Sequence, residues 1–267
     1  SGDESAYQVA QKQPMKLATM EGLYNGEVNS AIVAVGILNP KKEIDNNEDP
    51  FLFQIEAPYL LGLMATRGIN NFTPGINDLI NGNETHKIPS MQSRIDSGKK
   101  AIKALDEYKI AKENGDTNSA KKYREILQSN MQNFGYGYLN NPKDAIAPIG
   151  LTFYSFRVMA ALGIYFIGLF FVVMFLSMAN KIENFRKILW CCVFSIPLGW
   201  IACELGWIVA EVGRQPWAIQ DIMPVGVAAT NLSSANIKIS FFLFAVLFTT
   251  LFIAEIKIML KQIKLGF

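Results

Sequence analysis

Three long apolar runs, at about residues 151–179, 188–210 and 237–260, constrain this chain more than any other feature. A bilayer hydrocarbon core is about 30 Å thick and takes about 20 helical residues to cross. Each run is long enough. Inside lipid every peptide N–H and C=O must be satisfied within the protein, and a lone run achieves that only as a helix. The expected fold class is therefore an all-α membrane protein, with three transmembrane helices preceded by a mainly helical and loop outer region. The composition changes near Ala147-Pro148. Residues 1–148 hold 16 of the 25 Lys and Arg and 18 of the 23 Asp and Glu, and residues 149–267 hold the other 9 and 5. Two regions follow, 1–148 and 149–267.

Charge in the connections sets the orientation. The link NKIENFRK carries Lys181, Arg186 and Lys187, and the C-terminal end carries Lys257, Lys261 and Lys264. Basic loops stay on the cytoplasmic side, which puts the C-terminus there and residues 1–148, with the GRQPW loop, on the other face. The net charge of +2 and the lack of a basic aromatic patch give no nucleic-acid partner. Cys191, Cys192 and Cys203 all fall in the second run, so they build no disulfide framework for the outer region and read as small packing residues.

Within the outer region, a short helical stretch lies near Met15–Leu23. Residues 40–50, PKKEIDNNEDP, read as a charged turn-rich loop. Residues 51–66 are apolar but interrupted by Pro58 and Gly62, which suits a segment packed at the membrane surface or against the rest of a complex. Met91, Ile95, Ile102, Leu105 and Tyr108 recur at helical spacing, Asn114-Gly115-Asp116 breaks the run, and Tyr123, Ile126 and Leu127 begin another. The pattern predicts an antiparallel helical hairpin over about 91–114 and 117–133.

Glu204, Trp207, Glu211 and Arg214 follow one another at intervals of three, four and three inside the second run, and so share one helix face. An ionisable group near mid-bilayer costs about 2.5–3.5 kcal/mol on insertion scales, so such a face must turn toward protein, cofactor or water. It serves either a site or an ion pair between packed helices. Met159, two residues after Arg157, offers a thioether suited to a haem iron, with Arg157 placed for a propionate; packing is the commoner use of such a methionine. The single histidine, His86, sits in a polar loop without a second ligand nearby and reads as solvated. Lys16 and Glu21 put a cation and a carboxylate within about one and a half helical turns. That pair could hold a headgroup and accept a proton, or form a plain surface ion pair.

QPMKLATMEG at 13–22, SFRVMAALG at 155–163 and GWIVAEVGRQPWAI at 206–219 together resemble subunit I of cytochrome bd quinol oxidase, over the whole chain. The likeness is to the large outer Q loop and the last three helices of that subunit. It implies Met159 as an axial ligand of the low-spin haem b with Arg157 beside it, Glu211 at the high-spin haem b, Trp207 between haems, and Arg214 holding the haem group. Lys16 and Glu21 match the quinol-site pair, and Glu204 serves a possible proton path. The full subunit would carry two haems b and haem d, oxidise quinol at the outer face of the bacterial cytoplasmic membrane and reduce oxygen to water. Its partners would be a second oxidase subunit, membrane lipid and the remaining N-terminal helices of the same subunit. Six further spans bearing the haem-ligating histidines are expected upstream, because the membrane part here has none, and the fragment alone is expected to be inactive. The competing reading is a membrane-anchored sensor or assembly module without redox activity.

Overall fold

The computed structural model describes residues 2–68, 70–229 and 232–265, which separate into two compact units, 1–228 and 229–267. Three helices are long and apolar enough to cross a membrane, within bounds close to the sequence expectation: α7 (Ile149–Met178), α8 (Arg186–Glu211) and α9 (Ser234–Leu265). The chain is an all-α membrane protein carrying only short β ribbons. Helix α9 forms the second unit by itself.

In the first unit, α1 (Gly2–Lys12) and α2 (Pro14–Glu21) are followed by β1 (Glu27–Val28), β2 (Ile32–Leu38), β3 (Phe51–Ala57), α3 (Leu60–Thr66), β4 (Phe72–Thr73) and α4 (Ile76–Asn81). Pro14 starts α2, where its missing N–H costs nothing. Gly22 ends it with φ +67°, its N–H meeting the carbonyls of Ala18 and Thr19. The expected hairpin forms as α5 (Met91–Glu113) and α6 (Thr117–Asn130). Ser90 caps α5 by accepting from the Ser93 N–H, and Asp116 caps α6 by accepting from Asn118 and Ser119. Met91 and Ile95 are buried as expected, but Gly98, Ala101 and Ala104 continue the buried stripe, while Ile102, Leu105 and Tyr108 are half-buried. Small residues take the contact because the 3₁₀ segment Met131–Tyr138 lies close; a Cβ on Gly98 would meet the backbone of Asn133 and Gly137.

Residues 51–57, expected to pack at the membrane surface, form strand β3, antiparallel to β2. The expectation for residues 51–66 missed this ribbon because Phe51, Phe53 and Ile55 alternate with period two over only a few residues. Tyr24, Ile76, Leu79, Ile80, Met91, Ile95, Tyr136 and Trp217 make the main core of the outer region. The loop after α8, with ribbon β5 (Trp217–Ile219) and β6 (Met223–Pro224), is fastened to it. Tyr136 donates from its hydroxyl to Asp221 at 2.6 Å, Gly135 N–H donates to the Asp221 carbonyl, and the Trp217 ring meets Tyr136 edge-on.

Helices α7 and α8 pack antiparallel along a seam of glycines. A Cβ on Gly199 would lie 3.8 Å from Phe166, one on Gly206 3.1 Å from the Met159 sulfur, and one on Gly213, just past α8, 3.3 Å from Thr152. Both series advance by seven residues in opposite directions, the heptad register of two close antiparallel helices whose small residues let the backbones approach. A buried polar link adds to it: the Tyr165 and Ser195 hydroxyls are 2.7 Å apart, and Ser195 donates to the Cys191 carbonyl.

Candidate functional site

Helix α2 lies across the start of α7 and the end of α8 and carries a charged group to each. Glu21, 4% exposed in its side chain, accepts a 2.6 Å hydrogen bond from Arg157 Nη2, one turn above Phe153 on α7. The same guanidinium donates to the Met20 carbonyl at 3.4 Å and lies over the Phe153 ring, 4.5 Å from its centroid. Burial is the strongest influence on Glu21 and holds its carboxyl above the usual carboxylate range, although Arg157 pulls the other way. A carboxylate poised closer to neutrality is a better proton acceptor than an ordinary surface glutamate.

Lys16 points to the other span. Its Nζ donates to the Ala210 carbonyl at 3.2 Å, among the last carbonyls of α8 that lack an intrahelical donor. Burial lowers its pKa, as does nearby Arg214, while Glu211 raises it. Glu211 and Arg214 pair at 2.5 Å. Lys16 and Glu21, adjacent in the sequence argument, therefore serve different helices, since five residues on an α-helix turn them well apart.

A cleft of about 510 Å³ opens beside Glu21, lined by Gly22, Leu23, Tyr24 and the β2–β3 ribbon including Phe51, Leu52 and Phe53. Lys16 does not line it. Phe51 closes its inner end, 5.5 Å from the Phe153 ring, where a Cβ on Gly22 would meet Phe51 at 2.9 Å. The sequence reading missed the ribbon's part in this site, because only the pairing of β2 with β3 brings residues 51–53 back over residue 22.

On α8, Trp207 and Glu204 face outward and are exposed, and Glu204 has no hydrogen-bond partner among the described residues. The expected face is thus present, with its polar end held by Lys16. His86 stacks on Phe72 with ring centroids 3.6 Å apart, an outer-region contact. Among the described residues no cluster of three His, Cys, Asp or Glu could hold a metal ion. The residues nonetheless fit a haem. Their donor types match it: Met159 carries a soft thioether, its sulfur packed in the α7–α8 seam against Gly206, and the buried Nε atoms of Arg157 and Arg214 lack a hydrogen-bond partner that a propionate could supply.

Fold and site together define a multi-pass membrane subunit in which helix α2 carries ionisable groups to the ends of two spans. Residues 1–267 match the family described as Cytochrome bd terminal oxidase subunit I, and the chain belongs to that family. It is 32% identical over 282 residues to the cytochrome bd-II ubiquinol oxidase subunit 1 of Escherichia coli (strain K12), covering 99% of this chain and 51% of that protein. It is 24% identical over 268 residues to the cytochrome bd ubiquinol oxidase subunit 1 of Bacillus subtilis (strain 168), covering 100% and 45%. The solved bd oxidase from Geobacillus thermodenitrificans shares the fold, with a TM-score of 0.56 at 22% identity over 99% of this chain and 45% of that one. The chain spans about half the length of the curated relatives it matches.

Proposed function

We propose that this chain forms the quinol-oxidising side of a cytochrome bd-type quinol:oxygen oxidoreductase in a bacterial cytoplasmic membrane, with residues 1–148 and the cleft on the periplasmic face. The observation that carries this reading is the buried Glu21 carboxylate, held by Arg157 of α7 and bordering a cleft lined by Leu23, Phe51 and Leu52 on one side and by the polar Asn25, Asp49, Gln54 and Glu56 on the other. A quinol ring would lie against Phe51 and Leu23 with one hydroxyl toward Glu21. Glu21 accepts that hydroxyl proton and returns it to water through the cleft mouth. Oxidation to quinone releases two electrons and two protons, the protons to the outer water and the electrons inward. Arg157 fixes the carboxylate and offsets its charge.

Met159 would hold the low-spin haem b from one side, Glu211 and Arg214 would border the high-spin haem b, and Trp207 would lie between haems. Haems b and d, when bound, supply the one-electron carriers and the oxygen-reducing centre. Lys16 ties the α2 helix that carries Glu21 to the Glu211–Arg214 pair, so cleft and haem side share one support. Glu204, exposed and without a hydrogen-bond partner among the described residues, would serve a proton path toward the oxygen-reducing centre. The second oxidase subunit and further spans complete the assembly.

The test is Glu21→Gln in the intact complex. Shape is kept and the base is lost, so kcat for quinol oxidation should fall by about a hundredfold or more while haem content stays the same. Wild-type turnover in that variant would place quinol oxidation elsewhere.

A further inference from the structure

We propose that the outer face of the β2–β3 ribbon is seated in the interfacial layer of the membrane, where it forms the lipid-facing wall of the Glu21 cleft. The register pairs Val35 with Ile55 and Ile37 with Phe53, and residues directly opposite in a ribbon project from the same face. Each of these four side chains is more than half exposed. The other face is mixed: toward the cleft it carries Gln54 and Glu56, opposite Gly36 and Val33. Gly36 and Leu38 pack with Phe51 against Gly22 and Phe153. In a ribbon with one face in water the polar residues take that face; here Gln54 and Glu56 are on the cleft side, and the opposite, exposed face is formed by these four apolar side chains.

Its height is fixed by α7. Leu38 N–H donates to the Tyr154 hydroxyl at 3.0 Å, and Phe51 meets Phe153, both within the first two turns of that helix. The 30 residues of α7 extend about 45 Å, some 15 Å more than a hydrocarbon core. The basic link with Lys181, Arg186 and Lys187 holds the far end in water. The first ten or so residues of α7 therefore stand at headgroup level, the layer that favours a tyrosine such as Tyr154. The bare face of the ribbon sits at the same level, where Val, Ile and Phe enter the headgroup–acyl boundary.

Residue type favours lipid over another helix as the occupant. Helices docking in a membrane use small residues, as Gly199 and Gly206 of α8 do against α7. The ribbon face offers none at these four positions. A lipid-dissolved molecule could then reach the cleft sideways from the membrane. That last step rests on the quinol reading; the seating of the ribbon does not.

The experiment uses the intact complex in phosphatidylcholine vesicles with a nitroxide label on Ile55→Cys, the other cysteines replaced. A second label on Val35→Cys repeats the measurement should the first variant fail to assemble. A label on Asn47→Cys in the charged turn is the water-exposed control. Collision with oxygen should exceed collision with a water-soluble nickel chelate severalfold at residues 35 and 55, and the order should reverse at 47. Chelate access at 35 and 55 would mean water on this face, and protection from both reagents would mean protein. Either result overturns the proposal. The readout involves no quinol, so it fails independently of Glu21→Gln.

Discussion

Removing Arg157 while keeping its apolar contacts isolates the buried pair that links the outer domain to α7. In Arg157→Met the Glu21 carboxyl, 4% exposed, keeps its burial and loses its 2.6 Å partner. Breaking a buried ion pair from one side costs about 3–5 kcal/mol, because the remaining charge is stranded. Lost cation–π contact with Phe153 adds about 0.5–1 kcal/mol, and the methionine regains part of this by packing on the same ring. Glu21→Gln should cost less, about 1–2 kcal/mol, since its amide oxygen still accepts from the guanidinium without the charge. No charge is stranded opposite a missing partner in the double variant. Its cost should fall short of the sum of the singles by about 2 kcal/mol. Denaturant unfolding of the four proteins in detergent, as the intact complex, measures the cycle. Additivity within about 0.5 kcal/mol would show that the two groups do not share their burial and would remove the physical basis assigned to Glu21.

Glu21 also predicts a pH dependence. Burial raises its carboxyl above the ordinary value of 4.5, so folding favours the protonated form; that contribution is intact below the unfolded value and lost as pH rises through the folded one. Across that window wild type should lose stability relative to Glu21→Gln while its quinol turnover rises, and parallel stability curves would contradict the raised pKa. Gly206→Ala puts a methyl 3.1 Å from the Met159 sulfur and should shift the low-spin haem b band in reduced-minus-oxidised spectra, with Met159→Leu abolishing it. Unchanged spectra in both variants would exclude Met159 as a ligand. Glu211→Ala should perturb the high-spin haem b, whereas Glu204→Ala should slow oxygen consumption with the spectrum nearly intact; the reverse pattern would exchange their roles. A cysteine at Asn114, in the turn between α5 and α6, should react with a membrane-impermeant thiol reagent in intact spheroplasts, and labelling only after lysis would invert the topology.

By itself the sequence determined everything that depends on local pattern. Apolar length announced α7, α8 and α9 because lipid leaves a lone span no option but a helix. Apolar residues at helical spacing from Met91 to Tyr108, broken at Asn114-Gly115-Asp116, announced the α5–α6 hairpin because both signals are local. The stripe from Glu204 to Arg214 was legible for the same reason, and the glycines at 199, 206 and 213 could have been read as a seam from their spacing alone. Tertiary structure decided the rest. That Glu21 meets Arg157 across 136 residues, and that Lys16 turns instead to the carbonyl of Ala210, depends on where α2 lies across two helix ends. No periodicity records such a crossing. The β2–β3 ribbon was hidden likewise, since strand pairing is a long-range choice and seven residues of alternation carry little signal. The cleft beside Glu21 exists only because that ribbon folds back over Gly22, a position where the chain turns with φ +67° and leaves no room for a side chain.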